Sequence, residues 1–330
     1  MQLSFDSSLC EEVVDADLKE RTRSGKSEAP AAFRSAADRI YEKHPPNKRA
    51  APFNALYRRF FGLLGYKDRF ERLFCELEGF PGELPLPCHF SRAFRVEEEG
   101  ARLNAEKTCL SFRIHPLSLL DEGRLAYLIR HERIHVQDLL DPAFGHDETR
   151  PLSDGSPVSE DLLRDRYRTL WDLSVDGRLE RIDRLPEGVR DQRAAEFGAL
   201  FRTLGQERTR RIFETLWSGP RREDADLRQM VLSTEHLCEV LAVSVSGGGE
   251  GADVDLRAGG PCPLCRFPTF DWADPSEDLT RRVKAEFPDW RPSEGLCSQC
   301  ANRYLLGMTP APAGECCGQD GGSLKAAIPV

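Results

Sequence analysis

The feature that most constrains this chain is the pattern His131-Glu132-x-x-His135, which lies in a segment with helical spacing of its apolar residues. At about 100° per residue, those apolar residues fall on one helix face, and Glu132 falls in the middle of that face. His131 and His135 stand one turn apart along its edge. A carboxylate on a buried face is unfavourable unless a cation or a hydrogen-bond donor satisfies it. The helix must therefore pack against something that compensates Glu132.

The ends of this helix are also marked in the sequence. Ser118 or Asp121 can cap its N-terminus, because a short polar side chain accepts a hydrogen bond from an unpaired backbone N–H of the first turn. Pro142 cannot continue a helix, and it disfavours helical backbone at Asp141 before it. The segment therefore predicts a helix over about 121–140, with both histidines in its second half.

The spacing of the two histidines favours a metal site. Imidazoles at positions i and i+4 can both reach one tetrahedral Zn²⁺, and a glutamate directly after the first histidine can act as general base toward a water molecule. We therefore predict Zn²⁺ bound by His131 and His135, with Glu132 as the catalytic base. The alternative is a core helix with partly buried histidines, in which Glu132 pairs with an arginine.

This motif resembles the zincin metallopeptidases, and within them the gluzincin-like group. The segment RHERIHVQDLLDPAFGHD followed by LWDLSVDGRLER is similar to an uncharacterised bacterial subgroup, and with the strand-like residues 107–115 the resemblance covers about a third of the chain. It implies a zinc-dependent peptidase whose third metal ligand is an acidic residue on a downstream helix. Arg133 inside the motif and Gln137 after it depart from the uncharged residues usual in zincins, and Asp141 stands where metzincins have a third histidine.

Three acidic residues on the following helix are candidates for that third ligand. Asp172, Asp176 and Glu180 lie at successive i+4 steps, where like charges destabilise a helix unless a cation lies nearby. We predict Asp176 as the ligand, with Asp172 or Glu180 behind it to orient a ligating histidine. Asp172 as the ligand with Asp176 behind a histidine is an equal match, and an acidic solvated face is the remaining alternative. His146 and His236 could each stabilise an oxyanion or bind metal, although most histidines do neither.

The last quarter of the chain contains a second candidate metal site. Cys262-x-x-Cys265 and Cys297-x-x-Cys300 are two pairs in which both thiolates can reach one metal, and together they complete a tetrahedral sulfur site. Four thiolates leave no open position, so we predict a structural Zn²⁺ in a treble-clef or zinc-ribbon module with a helix near 279–287. An iron site of rubredoxin type is the alternative.

The remaining patterns predict an α+β protein, mainly helical, with a helix pair over 52–80 and a small antiparallel sheet between 88 and 114. We expect a polar helical lead-in over 1–50, a zincin-like metallohydrolase domain over 51–245, a flexible linker over 246–260, the zinc module over 261–308 and a disordered tail over 309–330. The Cys316-Cys317 pair in that tail is given no role.

Net charge, apolar runs and cysteine content indicate which kinds of partner and which compartment to expect. The net charge of −9 disfavours nucleic acid and anionic membranes. The N-terminus has no positive and apolar signal segment, and no apolar run reaches the roughly 20 residues of a membrane helix. Paired cysteines without an export signal indicate metal thiolates, so we expect a cytoplasmic protein.

The sequence thus predicts a zinc-dependent metallohydrolase, most simply a peptidase acting on a peptide or protein substrate. An edge strand near 109–114 would align an extended peptide by strand addition. The alternative is a catalytically inactive zincin-like adaptor, whose zinc module contacts a protein partner.

Overall fold

The chain is described here from a computed structural model that covers residues 2–25, 27–75, 86–152, 157–201, 204–243, 256 and 258–306. These residues form two compact units, one within Met1–Asp141 and the other within Pro142–Leu324. Helices dominate and the sheets are small, as the predicted α+β class requires. Among the described residues, no helix is both long enough and apolar enough to cross a membrane.

The first unit is built on a four-stranded sheet in the order β1-β2-β4-β3. Its strands are β1 Leu3–Phe5, β2 Cys88–Arg92, β3 Gly100–Leu103 and β4 Leu110–Ile114. The prediction of an antiparallel sheet is wrong for two of the pairings, because β1 with β2 and β2 with β4 run parallel. Parallel neighbours need long crossover connections, whereas only β3 and β4 are joined by a short turn and pair antiparallel.

The described part of this unit also contains six helices: α1 Ser7–Ser24, α2 Ala29–Lys43, α3 Ala50–Leu63, α4 Tyr66–Cys75, α5 Pro116–Leu120 and α6 Glu122–Leu140. The helix pair predicted over 52–80 is α3 and α4, which separate at Gly65, where φ is +85° and glycine is favoured. The expected lead-in is part of this core. It contributes β1, and Leu9 and Val13 of α1 are fully buried.

The helix with the two histidines is α6, and its predicted ends are confirmed. The Asp121 carboxylate accepts a hydrogen bond from the Arg124 backbone N–H, and the helix stops at Leu140, two residues before Pro142. Lys107, in the β3–β4 turn, donates from Nζ to the Leu139 carbonyl at 2.7 Å. Both ends of α6 are thus held by side chains of its own unit.

The second unit begins with a helical body of α7 Pro157–Arg181, α8 Val189–Leu200, α9 Gln206–Ser218, α10 Asp224–Leu232 and α11 Thr234–Val240. Residues 169–177 of α7 are all buried, because α8, α9 and α10 pack around it. Gly177 allows the closest of these approaches: a Cβ placed there would lie 2.1 Å from the Trp217 carbonyl oxygen of α9.

In its described part, the cysteine module completes this unit with two two-stranded sheets and the helices α12 Glu277–Glu286 and α13 Ser298–Leu305. Leu279, Val283, Phe287 and Trp290 form its apolar core around the cysteines. The predicted helix near 279–287 is α12. The predicted linker falls outside the described residues except at 256 and 258–260, and the predicted tail falls outside them entirely.

Substitution of Gly177 tests the packing of α7 on α9. Gly177→Ala should lower the free energy of unfolding by about 1–3 kcal/mol, because the new methyl group must displace backbone rather than a flexible side chain. Gly198→Ala on α8 is the matched control, since its nearest neighbour is 3.9 Å away and removal of a helical glycine alone stabilises. Urea unfolding of both variants measures the difference, and equal stabilities would contradict this packing.

Candidate metal centres

The two histidines of α6 are close enough to bind the same metal ion. Both are buried, and their Nε2 atoms lie 3.0 Å apart. Two nitrogens bound tetrahedrally to zinc at 2.0–2.1 Å would be about 3.4 Å apart, so a small rotation of either ring suffices. The helical spacing therefore produces the convergence of imidazoles that the sequence predicted.

Glu132 lies between them in sequence and is only 2% exposed. Its Oε2 accepts a hydrogen bond from the Ala101 backbone N–H of β3 at 2.8 Å. A donor of this kind is what a carboxylate on a buried face requires. The β3 strand thus supplies part of the compensation that the sequence demanded, and it fixes the position of the carboxylate.

Arg133 departs from the zincin pattern for a structural reason. Its guanidinium turns away from the histidines and donates from Nη1 to the Phe74 carbonyl, in the last turn of α4. A cation at a helix C-terminus is favourable, because the carbonyl groups there carry partial negative charge. The unusual charge inside the motif therefore belongs to the contact between α6 and α4.

The acidic residues of α7 have three different environments. Asp172 is buried, with Arg193 Nη1 3.1 Å and Arg168 Nε 3.8 Å from its Oδ2. Asp176 is fully buried and accepts a hydrogen bond from Arg193 Nε at 2.7 Å. Glu180 is partly exposed and accepts from Trp217 Nε1 at 2.6 Å. Arginines therefore compensate the negative charges of the buried acidic residues on α7, and a bound metal ion would compensate them further.

One of these acids joins the histidines. His131, His135 and Asp172 each offer a ligand atom, and these atoms lie within 4.8 Å of one another. Asp176, which we predicted as the third ligand, is not in this group, and its carboxylate is held by Arg193 instead. The alternative that the sequence left open, Asp172, is the one that the geometry favours. Two imidazoles and one carboxylate are a donor set typical of catalytic zinc.

The other two candidate histidines differ from each other. His146 Nδ1 lies 2.9 Å from Oδ1 of the buried Asp224, which also accepts from the Tyr167 hydroxyl at 2.5 Å and from Arg228. Burial acts to raise the pKa of Asp224, but these hydrogen bonds outweigh it and hold the pKa below its usual value. His236 contacts only the Ser233 cap of its own helix among the contacts described. Asp224 is 57 residues from Tyr167 and 78 residues from His146, so no local sequence pattern indicated this cluster.

The four cysteines of the module converge as predicted. Their sulfur atoms lie within 4.8 Å of one another, with 3.9 Å between Cys262 and Cys300 and 3.7 Å between Cys265 and Cys297. Four sulfurs at 2.3 Å from a tetrahedral zinc would be about 3.8 Å apart. The Cys297 backbone N–H donates to Cys262 Sγ, which stabilises a thiolate there. This group could hold a metal without rearrangement.

The protonation of these thiols in the metal-free chain is uneven. The hydrogen bond between the Cys262 and Cys300 sulfurs lowers the pKa of Cys262 to about 4, whereas burial raises the pKa of Cys265 to about 11. The pKa of Cys300 is raised further, mainly because its proton is shared with Cys262. At neutral pH the group therefore keeps protons on Cys265 and Cys300, and a bound cation has to displace them.

Comparison with known proteins gives no relative for either site. The chain matches no protein-family model, no curated protein and no solved structure. The resemblance to gluzincin-like peptidases rests on the motif residues alone. The chemistry of the two sites is therefore the basis for any functional assignment.

Metal content should separate the two sites. We expect two zinc ions per chain in the purified protein, and one after either His135→Ala or Cys297→Ser, because each variant removes one essential ligand. Elemental analysis of protein purified with zinc measures this. His236→Ala is the control and should keep both ions. A wild-type protein with one ion that persists in His135→Ala would rule out the site on α6.

Metal binding by the cysteine module should depend on pH in a defined direction. Because Cys265 and Cys300 are protonated at neutral pH, binding of one metal should release about two protons or more, and affinity should rise with pH. Titration of the His135→Ala protein with zinc in a weak buffer containing a pH indicator measures the release. Affinity that is equal at about pH 6 and pH 8 would contradict these protonation states.

Proposed function

We propose that this chain is a zinc-dependent hydrolase that acts on peptide bonds, with Zn²⁺ held by His131, His135 and Asp172. The observation that carries the proposal is the grouping of these three ligand atoms, with the buried carboxylate of Glu132 on the same helix. A set of three protein ligands leaves a position for a reacting group, as catalytic zinc requires. A second, structural Zn²⁺ on the four cysteines would stabilise the module.

Glu132 has the chemistry of a general base. Zinc in such a site polarises a substrate carbonyl and makes a water molecule more acidic. Glu132 would take the proton from that water molecule as it attacks the carbonyl carbon, and then deliver it to the leaving amine. The Ala101 N–H holds the carboxylate in place during both transfers.

The substrate would be an extended peptide. The strand that we predicted to align it, near 109–114, is β4, which pairs on both sides with β2 and β3 and has no free edge. In the described part of the sheet β3 is an edge strand, and its Ala101 N–H points toward Glu132. We therefore propose that the substrate peptide pairs with β3 and not with β4, so that its backbone would pass the proposed base, Glu132.

A second candidate function is an adaptor that binds a protein. It is supported by Phe267 and Phe270, which follow the first cysteine pair and are 72% and 80% exposed. Exposed aromatic residues are enriched at protein interfaces. In such an adaptor both metal sites are structural, and Glu132 has a structural role that includes its contact with β3. For either function we propose the reducing cytoplasm as the compartment, because the module needs thiolates.

Removal of the base distinguishes these functions. Glu132→Gln should reduce the hydrolysis of an unstructured protein such as casein by about 10²-fold or more, since general-base catalysis is lost while the amide oxygen still accepts from Ala101. Zinc content should stay at the wild-type value. Glu122→Gln, an exposed residue in the first turn of the same helix, is the matched control and should keep full activity.

Two results would contradict the hydrolase. One is equal activity of Glu132→Gln and wild type, which removes the proposed base. The other is the absence of hydrolysis in zinc-loaded wild type over a broad peptide library, which would favour the adaptor.

A further inference from the structure

The cysteine module is joined to α7 by a buried ion pair. Arg166 Nη1 of α7 lies 2.8 Å from Oδ2 of Asp289, which follows α12 in the module, and the two side chains are only 7% and 9% exposed. Breaking a buried pair by removing one partner is far more costly than breaking a surface pair, because the remaining charge is left without compensation. The contact therefore constrains both segments.

Each partner of this pair also binds the helical body. The other Asp289 oxygen accepts from the backbone N–H and the hydroxyl of Thr234, both at 2.9 Å, at the start of α11. Arg166 donates to the Val231 carbonyl near the end of α10, and its guanidinium lies 5.0 Å from the centre of the Phe201 ring. The Asp289 carboxylate thus connects the module to α7 and α11, and Arg166 extends the connection to α10.

A pocket lies beside this junction. It has a volume of about 330 Å³ and is lined by apolar residues of α7, α8 and the module and by both members of the ion pair. Leu162 of α7 packs against the module core. The ion pair and this apolar contact therefore both attach the module to α7.

The module and α7 each carry part of a candidate metal site. Asp289 precedes Trp290, which is buried in the module core beside the cysteines, so the carboxylate can keep its place only while that core is folded. A module of this size that is built around a metal gains its folding energy from the metal. On α7, Asp172 lies six residues after Arg166, about 9 Å along the helix.

We infer that metal occupancy of the four cysteines raises the metal affinity of His131, His135 and Asp172, with Asp289 and Arg166 as the positioning residues that connect them. The inference rests on the proposed function for the identity of the second site, and it adds regulation to it. Loss of the cysteine-bound metal would release Asp289, leave Arg166 buried without its partner, and loosen the helix that presents Asp172.

The test is zinc affinity, measured by equilibrium competition against a chromogenic chelator in the full-length protein. Asp289→Asn removes the charge but keeps the capacity to accept hydrogen bonds from Thr234. It should weaken the α6–α7 site about tenfold while the cysteine site keeps its metal. The control is Asp165→Asn, which removes an exposed ion pair between the same helix and Arg266 of the module and should change affinity less than about twofold.

A double-mutant cycle shows whether the pair acts as a unit. Arg166→Met should weaken the same site, and combination with Asp289→Asn should weaken it no further than the worse single variant. Additive losses, or Asp289→Asn with wild-type affinity, would overturn the inference. If Asp289→Asn does not fold, release of the cysteine-bound zinc from wild type by an organomercurial takes its place, and unchanged affinity at the other site is then the contrary result.

Different results would contradict the proposed function and the coupling between the two metal sites. If His135→Ala has the same zinc content and chelator competition as wild type, no metal is bound at His131, His135 and Asp172, and the proposed function fails. If His135→Ala loses that site but Asp289→Asn leaves it intact, only the coupling fails.

Discussion

The burial of the candidate metal-binding motif on α6 is the constraint on which this structure depends. His131, Glu132 and His135 are each no more than 6% exposed, at the centre of a helix whose other buried residues are mostly apolar. Uncompensated, such burial would destabilise the first unit. The Ala101 N–H satisfies one carboxylate oxygen, and the two imidazoles converge at 3.0 Å. A cation bound by both imidazoles would offset more of the free energy lost by burying these polar groups. The same residues would then form a metal site.

The second unit meets a similar problem with arginines. Arg193 of α8 contacts both Asp172 and Asp176, so the buried part of α7 is not left with bare negative charges. The two acids differ in their distance from this arginine, which is 2.7 Å for Asp176 and 3.1 Å for Asp172. Arg193 therefore compensates both acids, and Asp172 alone of the two also belongs to the group with His131 and His135. The same logic of buried ion pairs recurs at Arg166 and Asp289, where it fastens the module to the helical body.

Local signals in the sequence predicted much of this. The capping side chain of Asp121 and the position of Pro142 determine the ends of α6, and helical periodicity alone places Glu132 on the buried face. The cysteine spacing predicts a convergence that the sulfur distances match. These features depend on residues within a few turns of each other.

Long-range pairing could not be predicted in the same way. The sheet is partly parallel because β1 comes from the first few residues, and nothing local links Leu3–Phe5 to Cys88–Arg92. Asp172 and Asp176 occupy neighbouring turns, so their roles depend on Arg193 from another helix. The cluster around Asp224 joins three distant segments. In each case the deciding contact lies outside the window in which sequence periodicity carries information.

Zinc X-ray absorption spectroscopy on the purified wild-type protein tests the central claim most directly. A metal on His131, His135 and Asp172 predicts a nitrogen and oxygen shell at about 2.0–2.1 Å with imidazole scattering, in addition to a sulfur shell at about 2.3 Å from the cysteine module. In His135→Ala only the sulfur shell should remain. A wild-type spectrum with sulfur ligands alone, identical to that of the variant, would show that α6 buries its histidines without a metal.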